Sequence, residues 1–99
     1  MKVQFTETEV KIIQTCLDRW GAESQIGKAV EECAELIVAL QKYVICKSGT
    51  VEDILDEIAD VEMMLAQMRL VLGIDDDTLR RRIEYKMERV KQYLARDEA

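Results

Sequence analysis

Proline is missing from all 99 residues, and glycine occurs only four times. These are the residue types that most readily break or reverse a helix, so the chain has very few places to turn. Between those places it is rich in Ala, Leu, Glu, Lys, Arg, Met and Gln, the strongest helix formers. A few long helices are the natural outcome. Thr6-Glu7-Thr8-Glu9 is a capping box, with Phe5 and Val10 spaced as its hydrophobic staple. A first helix is expected to open there, run to about Arg19 and stop at Gly21. A second is expected from near Ser24 to about Lys47, ahead of Ser48-Gly49. Thr50 caps a third, whose first turn carries Glu52 and Asp53 to suit the helix dipole, and Gly73 closes it near Leu72. Asp75-Asp76-Asp77 caps a fourth that reaches about Ala95. Connections this short favour antiparallel neighbours. The expectation is one all-α domain over residues 1–99, a four-helix antiparallel bundle, with no internal repeat, low-complexity tract or linker.

Composition narrows the function. Apolar residues make up 48% and charged residues 34%, the balance of a globular protein and not of a disordered one. A chain of this size buries only about 60–70% of its unfolded surface, a thin core that invites self-association. Twenty acidic against 14 basic residues argue against nucleic acid or an anionic membrane as partner. The longest apolar run, Leu36–Leu40, falls far short of the ~20 residues that span a bilayer. Met1-Lys2-Val3-Gln4-Phe5 lacks the apolar core of a signal peptide. Histidine is absent, which excludes Ser-His-Asp and Cys-His catalysis and most zinc, copper and haem sites. Cys16, Cys33 and Cys46 form no CxxC pair and read as ordinary thiols of a reducing compartment, so a cytoplasmic protein is expected.

Acidic residues on a helix normally face water, yet one does not fit that rule. At 100° per residue, Val61, Met64, Leu65, Met68, Leu72 and Ile54 all fall within about 80° of Glu57. Asp53 and Asp60 lie at the edge of the same stripe, and a second apolar group (Leu55, Ala59, Met63, Ala66, Leu70) occupies the far side. This third helix should be central, with one face in the subunit core and another at a subunit interface. A buried carboxylate without a partner is costly, so Glu57 needs compensation. On the second helix, Ile26, Cys33, Leu36, Ile37, Leu40 and Val44 form the main apolar stripe, and Glu32 and Glu35 lie off it. Glu32 and Glu35 are spaced i, i+3, as are Glu57 and Asp60, so each pair projects from one side of its helix. If the two helices face each other, four carboxylates converge and must be neutralised by protons or a cation. With no histidine or paired cysteine at hand, Mg²⁺ or Mn²⁺ suits such oxygen donors. The fourth helix carries a basic stripe, Arg82, Lys86, Arg89 and Arg96 with Tyr93, beside the apolar seam Leu79, Ile83, Met87, Val90 and Leu94. Cations in that pattern either pair with nearby acids or hold phosphate oxygens.

Glu31-Glu32-Cys33-Ala34-Glu35 followed by Glu57-Ile58-Ala59-Asp60 resembles the EExxE…ExxD signature of the MazG-type, all-α nucleoside triphosphate pyrophosphohydrolases. Trp20-Gly21-Ala22-Glu23-Ser24-Gln25 is similar to the W-G-x-x-x-Q opening of the small members. Lys86-Met87-Glu88-Arg89 resembles their late K-[LFM]-x-R element, with Val90 where a second arginine often stands. The resemblance spans nearly the whole chain. It implies hydrolysis of a (deoxy)nucleoside triphosphate to monophosphate and pyrophosphate, with Mg²⁺ on Glu32, Glu35, Glu57 and Asp60. It implies a homodimer or a dimer of dimers in which two subunits complete each site. Glu31 or Glu35 would assist the attacking water, while Lys86, Arg89 and Lys28 would bind phosphates. Lys28 also reads as a plain surface lysine. For the base, Trp20 and Gln25 are the candidates; Trp20 reads rather more readily as a core anchor of the first helix, and Gln25 has helix capping as its alternative. A longer dimeric branch acting on dUTP or dCTP carries an asparagine-containing late motif, and asparagine is absent here. Two rivals remain: a non-catalytic metal- or nucleotide-binding bundle with a regulatory role, and a purely structural helical oligomer.

Overall fold

The computed structural model describes residues 5–98, so Met1–Gln4, part of the segment read above for a leader, and Ala99 lie outside the described residues. Those described form four helices and no strand: α1 (Glu7–Trp20), α2 (Ala22–Val44), α3 (Val51–Leu72) and α4 (Asp76–Glu98). None is long and apolar enough to cross a membrane.

Local chemistry places the ends. Thr6 Oγ1 accepts from the Glu9 N–H (3.1 Å) and Glu9 Oε1 accepts from the Thr6 N–H (2.8 Å), completing the capping box. Thr50 and Asp53 repeat this reciprocal pair at the start of α3. Asp75 Oδ1 accepts from the Thr78 N–H at 2.7 Å and opens α4. Gly21 (φ +85) closes α1 and at once opens α2, two residues before the expected start. At the other end α2 stops three residues short of Lys47. Lys47 itself takes the left-handed conformation (φ 55), and the Ser48 N–H reaches back to the Lys42 carbonyl at 2.9 Å. That bond spans one residue more than the six-to-one closure of a helix ended by a left-handed residue, which the Ile74 N–H makes to the Arg69 carbonyl (2.9 Å) behind Gly73 at the end of α3. α4 runs three residues beyond Ala95.

α2 and α3 form a long antiparallel hairpin, and α1 packs across both. α4 stands apart: none of its Cα atoms lies within 8 Å of one in α1, α2 or α3. Its ties are at the root, where Arg69 Nη2 meets Asp76 Oδ1 at 3.5 Å and Leu79 and Ile83 line a cleft with Phe5, Val10 and Ile13. The caps at Gly73 and Asp75 say where one helix ends and the next begins. They do not set the angle between the two helices, which follows from what each apolar face can cover.

Little is covered. Among the described residues only Ile13 and Met64 are buried apolar side chains, while Gln25, Glu32 and Gln67 are buried polar ones. The stripe expected to form the core side of α2 is largely open, with Ile26, Ile37, Leu40 and Val44 exposed and Cys33 on the surface. The accessible surface is 8234 Å² for an 11.4 kDa chain, roughly 2500 Å² more than a folded monomer of that mass shows. The radius of gyration, 16.6 Å, likewise exceeds the ~13 Å of a compact 100-residue domain.

Candidate metal centre

The seam between α2 and α3 is polar, and this decides what the hairpin can do. Glu35 comes within hydrogen-bonding reach of Glu57, and Glu32 of Asp60. Both pairs obey one antiparallel register, so stepping seven residues along it sets Gln25 opposite Gln67, about 10 Å further along the helix axis. Lys28 and Lys42 flank Glu35 on α2 at the same seven-residue spacing. Seven residues is close to two helical turns, so each set stays on one face.

One oxygen from each of Glu32, Glu35, Glu57 and Asp60 lies within 4.8 Å of the other three. These are the four residues that spacing brings together in the sequence. Their surroundings differ from expectation, however. Glu32, placed off the apolar stripe by helical projection, is the most buried, its side chain only 8% exposed. Glu57 is half-buried, and Glu35 and Asp60 face solvent. The reason is the rotation of α2. Its acidic edge meets α3, and its apolar stripe turns away.

The electrostatics are those of crowded like charges. Burial, and then the carboxylates of Glu35, Asp60 and Glu32, push the Glu57 carboxyl above its ordinary value. Burial and then Glu32 do the same to Asp60, with Asp56 adding and Lys28 opposing. Lys28 Nζ sits 3.1 Å from Glu32 Oε1 and 3.8 Å from Glu31 Oε2, and its hydrogen bond and ion pair with Glu32 raise its own pKa. One cation among four acids leaves an excess of negative charge. Glu32 Oε2 and Glu57 Oε2 are buried with no hydrogen-bond partner, a cost that a native structure normally avoids.

A divalent cation fits these donors. They are all hard oxygens, two of them orphaned, and oxygens sharing an Mg²⁺ at about 2.1 Å stand at most ~4.2 Å apart. The observed 4.8 Å span needs only a small inward movement of side chains.

The other candidates fall into two groups. Glu31 is exposed on the outer side of α2, tied to Lys28 and outside the converging four. Lys86 and Arg89 lie on α4, which meets α3 only at its root through Arg69 and Asp76, and no carboxylate stands within 4.0 Å of either among the described residues. Within one chain they are not brought to the acids. Trp20 ends α1 with 55% of its surface exposed, so it does not anchor the core of this chain. Gln25 is buried one turn into α2. Two residues escape the sequence reading: Gln67, buried with an unpartnered Oε1, and Lys42, which lines a cleft of about 470 Å³ with Glu35 and Glu57. Their spacing from Asp60 and Glu35, seven residues in each case, is the signal that marks them.

Compared with protein-family models, with curated proteins and with solved structures, the chain matches none.

Proposed function

We propose that this chain is a divalent-metal-dependent nucleoside triphosphate pyrophosphohydrolase of the MazG-like type, acting in the cytoplasm on a (deoxy)nucleoside triphosphate. The observation that carries the reading is the convergence of Glu32, Glu35, Glu57 and Asp60 with two buried, unpartnered oxygens among them. Those four residues would hold the ion. When bound, Mg²⁺ or Mn²⁺ supplies the positive charge that a triphosphate needs near carboxylates and lowers the pKa of water.

The chain's own groups do the rest. Glu35, the solvent-facing acid beside the cleft, accepts the proton of the water that attacks the α-phosphorus. The bond from that phosphorus to the bridging oxygen breaks, and pyrophosphate leaves with its electron pair. Glu31, one step outside, is the second candidate for this proton. Lys28 holds Glu32 in place through its 3.1 Å contact.

The active form in this reading is a homodimer or a dimer of dimers. The uncovered apolar area and the detached α4 support it, and so does the apolar seam Ile83, Met87, Val90 and Leu94, all exposed. Lys86 and Arg89 then act on phosphates only across a subunit boundary.

The test is a panel of ribo- and deoxynucleoside triphosphates assayed for pyrophosphate with and without Mg²⁺. Metal-dependent release of monophosphate and pyrophosphate in equal amounts supports the proposal. Orthophosphate as the product refutes it, and no product across the panel favours a non-catalytic binder.

A further inference from the structure

The carboxylates open to one side onto a cleft of about 470 Å³ that runs along the seam to the α2–α3 turn, lined by Glu35, Glu57, Ala34, Val38, Ala39 and Lys42 among others. Its volume falls in the range of small-molecule sites. The small side chains of Ala34 and Ala39 leave the floor low, and the far end holds a single cation. Cα–Cβ bonds of a helix tilt toward its N-terminus, which for Lys42 is the direction of Glu35, two turns before it on the same face. Lys28, the other seam lysine, is already engaged by Glu31 and Glu32. Lys42 has no carboxylate within 4.0 Å among the described residues. Asp53, its neighbour in the cleft, is occupied: its Oδ2 accepts from the Thr50 N–H at 3.0 Å. An unpaired ammonium about 10 Å along the helix from a cluster of acids suits a ligand that is metal-bound at one end and anionic at the other.

We propose that this cleft receives the phosphate tail of the nucleotide and that Lys42 binds its terminal phosphate. The substrate then has a direction: tail toward the α2–α3 turn, nucleoside toward the opposite end of the seam, where the exposed Trp20 stands. Pyrophosphate leaves past Lys42. This assignment rests on the hydrolase reading above and deepens it, since it supplies from within one chain the phosphate contact that α4 does not bring.

Lys42→Ala and Lys42→Arg, both at an exposed position, test it with two readouts. One is calorimetric binding of inorganic pyrophosphate and of a nucleoside monophosphate, each with Mg²⁺. The other is KM and kcat for the best nucleotide of the panel. Lys42→Ala is expected to weaken pyrophosphate binding and raise KM by about tenfold, the scale of one charge-assisted hydrogen bond. Monophosphate affinity should change by less than about twofold, and Lys42→Arg should restore most of the loss. Equal weakening of both ligands, or of neither, overturns the assignment. If wild type releases pyrophosphate and Lys42→Ala is indistinguishable from it, the cleft assignment alone fails. If wild type releases none from any nucleotide, the hydrolase reading fails, and pyrophosphate binding still reports on Lys42.

Discussion

Glu57 of α3 stands within hydrogen-bonding reach of Glu35 of α2, and its own Oε2 is buried without a partner. Two carboxyl groups that share so small a space share a proton, or a metal, or they repel. The choice among these three sets the stability of the hairpin and the chemistry of the seam, and it can be measured.

Mg²⁺ should raise the melting temperature of the wild-type protein. At ten times its Kd a ligand adds about 1.4 kcal/mol, roughly 5–10 °C for a chain of this length. Glu57→Gln removes one of the crowded charges, so the metal-free variant should melt above metal-free wild type and gain much less from Mg²⁺. Thermal denaturation with and without EDTA checks both. A wild type indifferent to Mg²⁺ would point to a structural oligomer.

Metal-free stability should depend on pH with a definite sign. Glu57 and Asp60 have folded pKa values raised above their ordinary 4.5 and 3.8, so the folded state binds protons that the unfolded state releases. Stability therefore falls as pH rises from those ordinary values through the raised ones. Glu9 and Asp75 act oppositely: hydrogen bonds from the Thr6 and Thr78 backbones lower their pKa values. The stability they contribute is present above 4.5 and 3.8 and is lost as pH falls through their folded values. Melting temperature against pH in EDTA should peak on the mildly acidic side, and saturating Mg²⁺ should erase the decline above the peak.

Thr50→Ala should destabilise the protein by about 1 kcal/mol, the usual cost of an N-cap. Thr50 Oγ1 accepts from the Asp53 N–H at 3.2 Å, and this pair starts the helix that carries Glu57 and Asp60. Urea denaturation measures the loss, and Thr50→Ser should recover most of it.

The chain should sediment well above 11.4 kDa. Met87→Glu, a charge placed in the exposed apolar seam of α4, is expected to shift the species toward smaller mass and lower melting temperature. A wild type that is monomeric at tens of micromolar would overturn the self-association proposed above.

Much of this was legible without coordinates because the signals are local. A threonine three residues before an acid can satisfy the free N–H groups of a helix start by itself, whatever the rest of the chain does. Gly21 and Gly73 stop helices because a left-handed or otherwise irregular backbone suits glycine. The i, i+3 spacing that pairs Glu32 with Glu35 and Glu57 with Asp60 is likewise a property of one helix at a time. The rotation of α2 was not legible: projection marks Ile37, Leu40 and Val44 as the core side, yet they lie exposed while Glu32 goes inward. An apolar stripe states that a face must be covered and does not state by what.

The amino-acid sequence by itself therefore determined four helices, their boundaries to within about three residues and the acidic pairs they carry, since backbone hydrogen bonding and side-chain spacing act over a few residues. Only the tertiary structure decided that the pairs face each other across one register, that Gln67 and Lys42 join the same seam, and that α4 is tied to the other helices only at its root. Those outcomes depend on how whole surfaces meet, and the energy of burying a surface belongs to both partners at once.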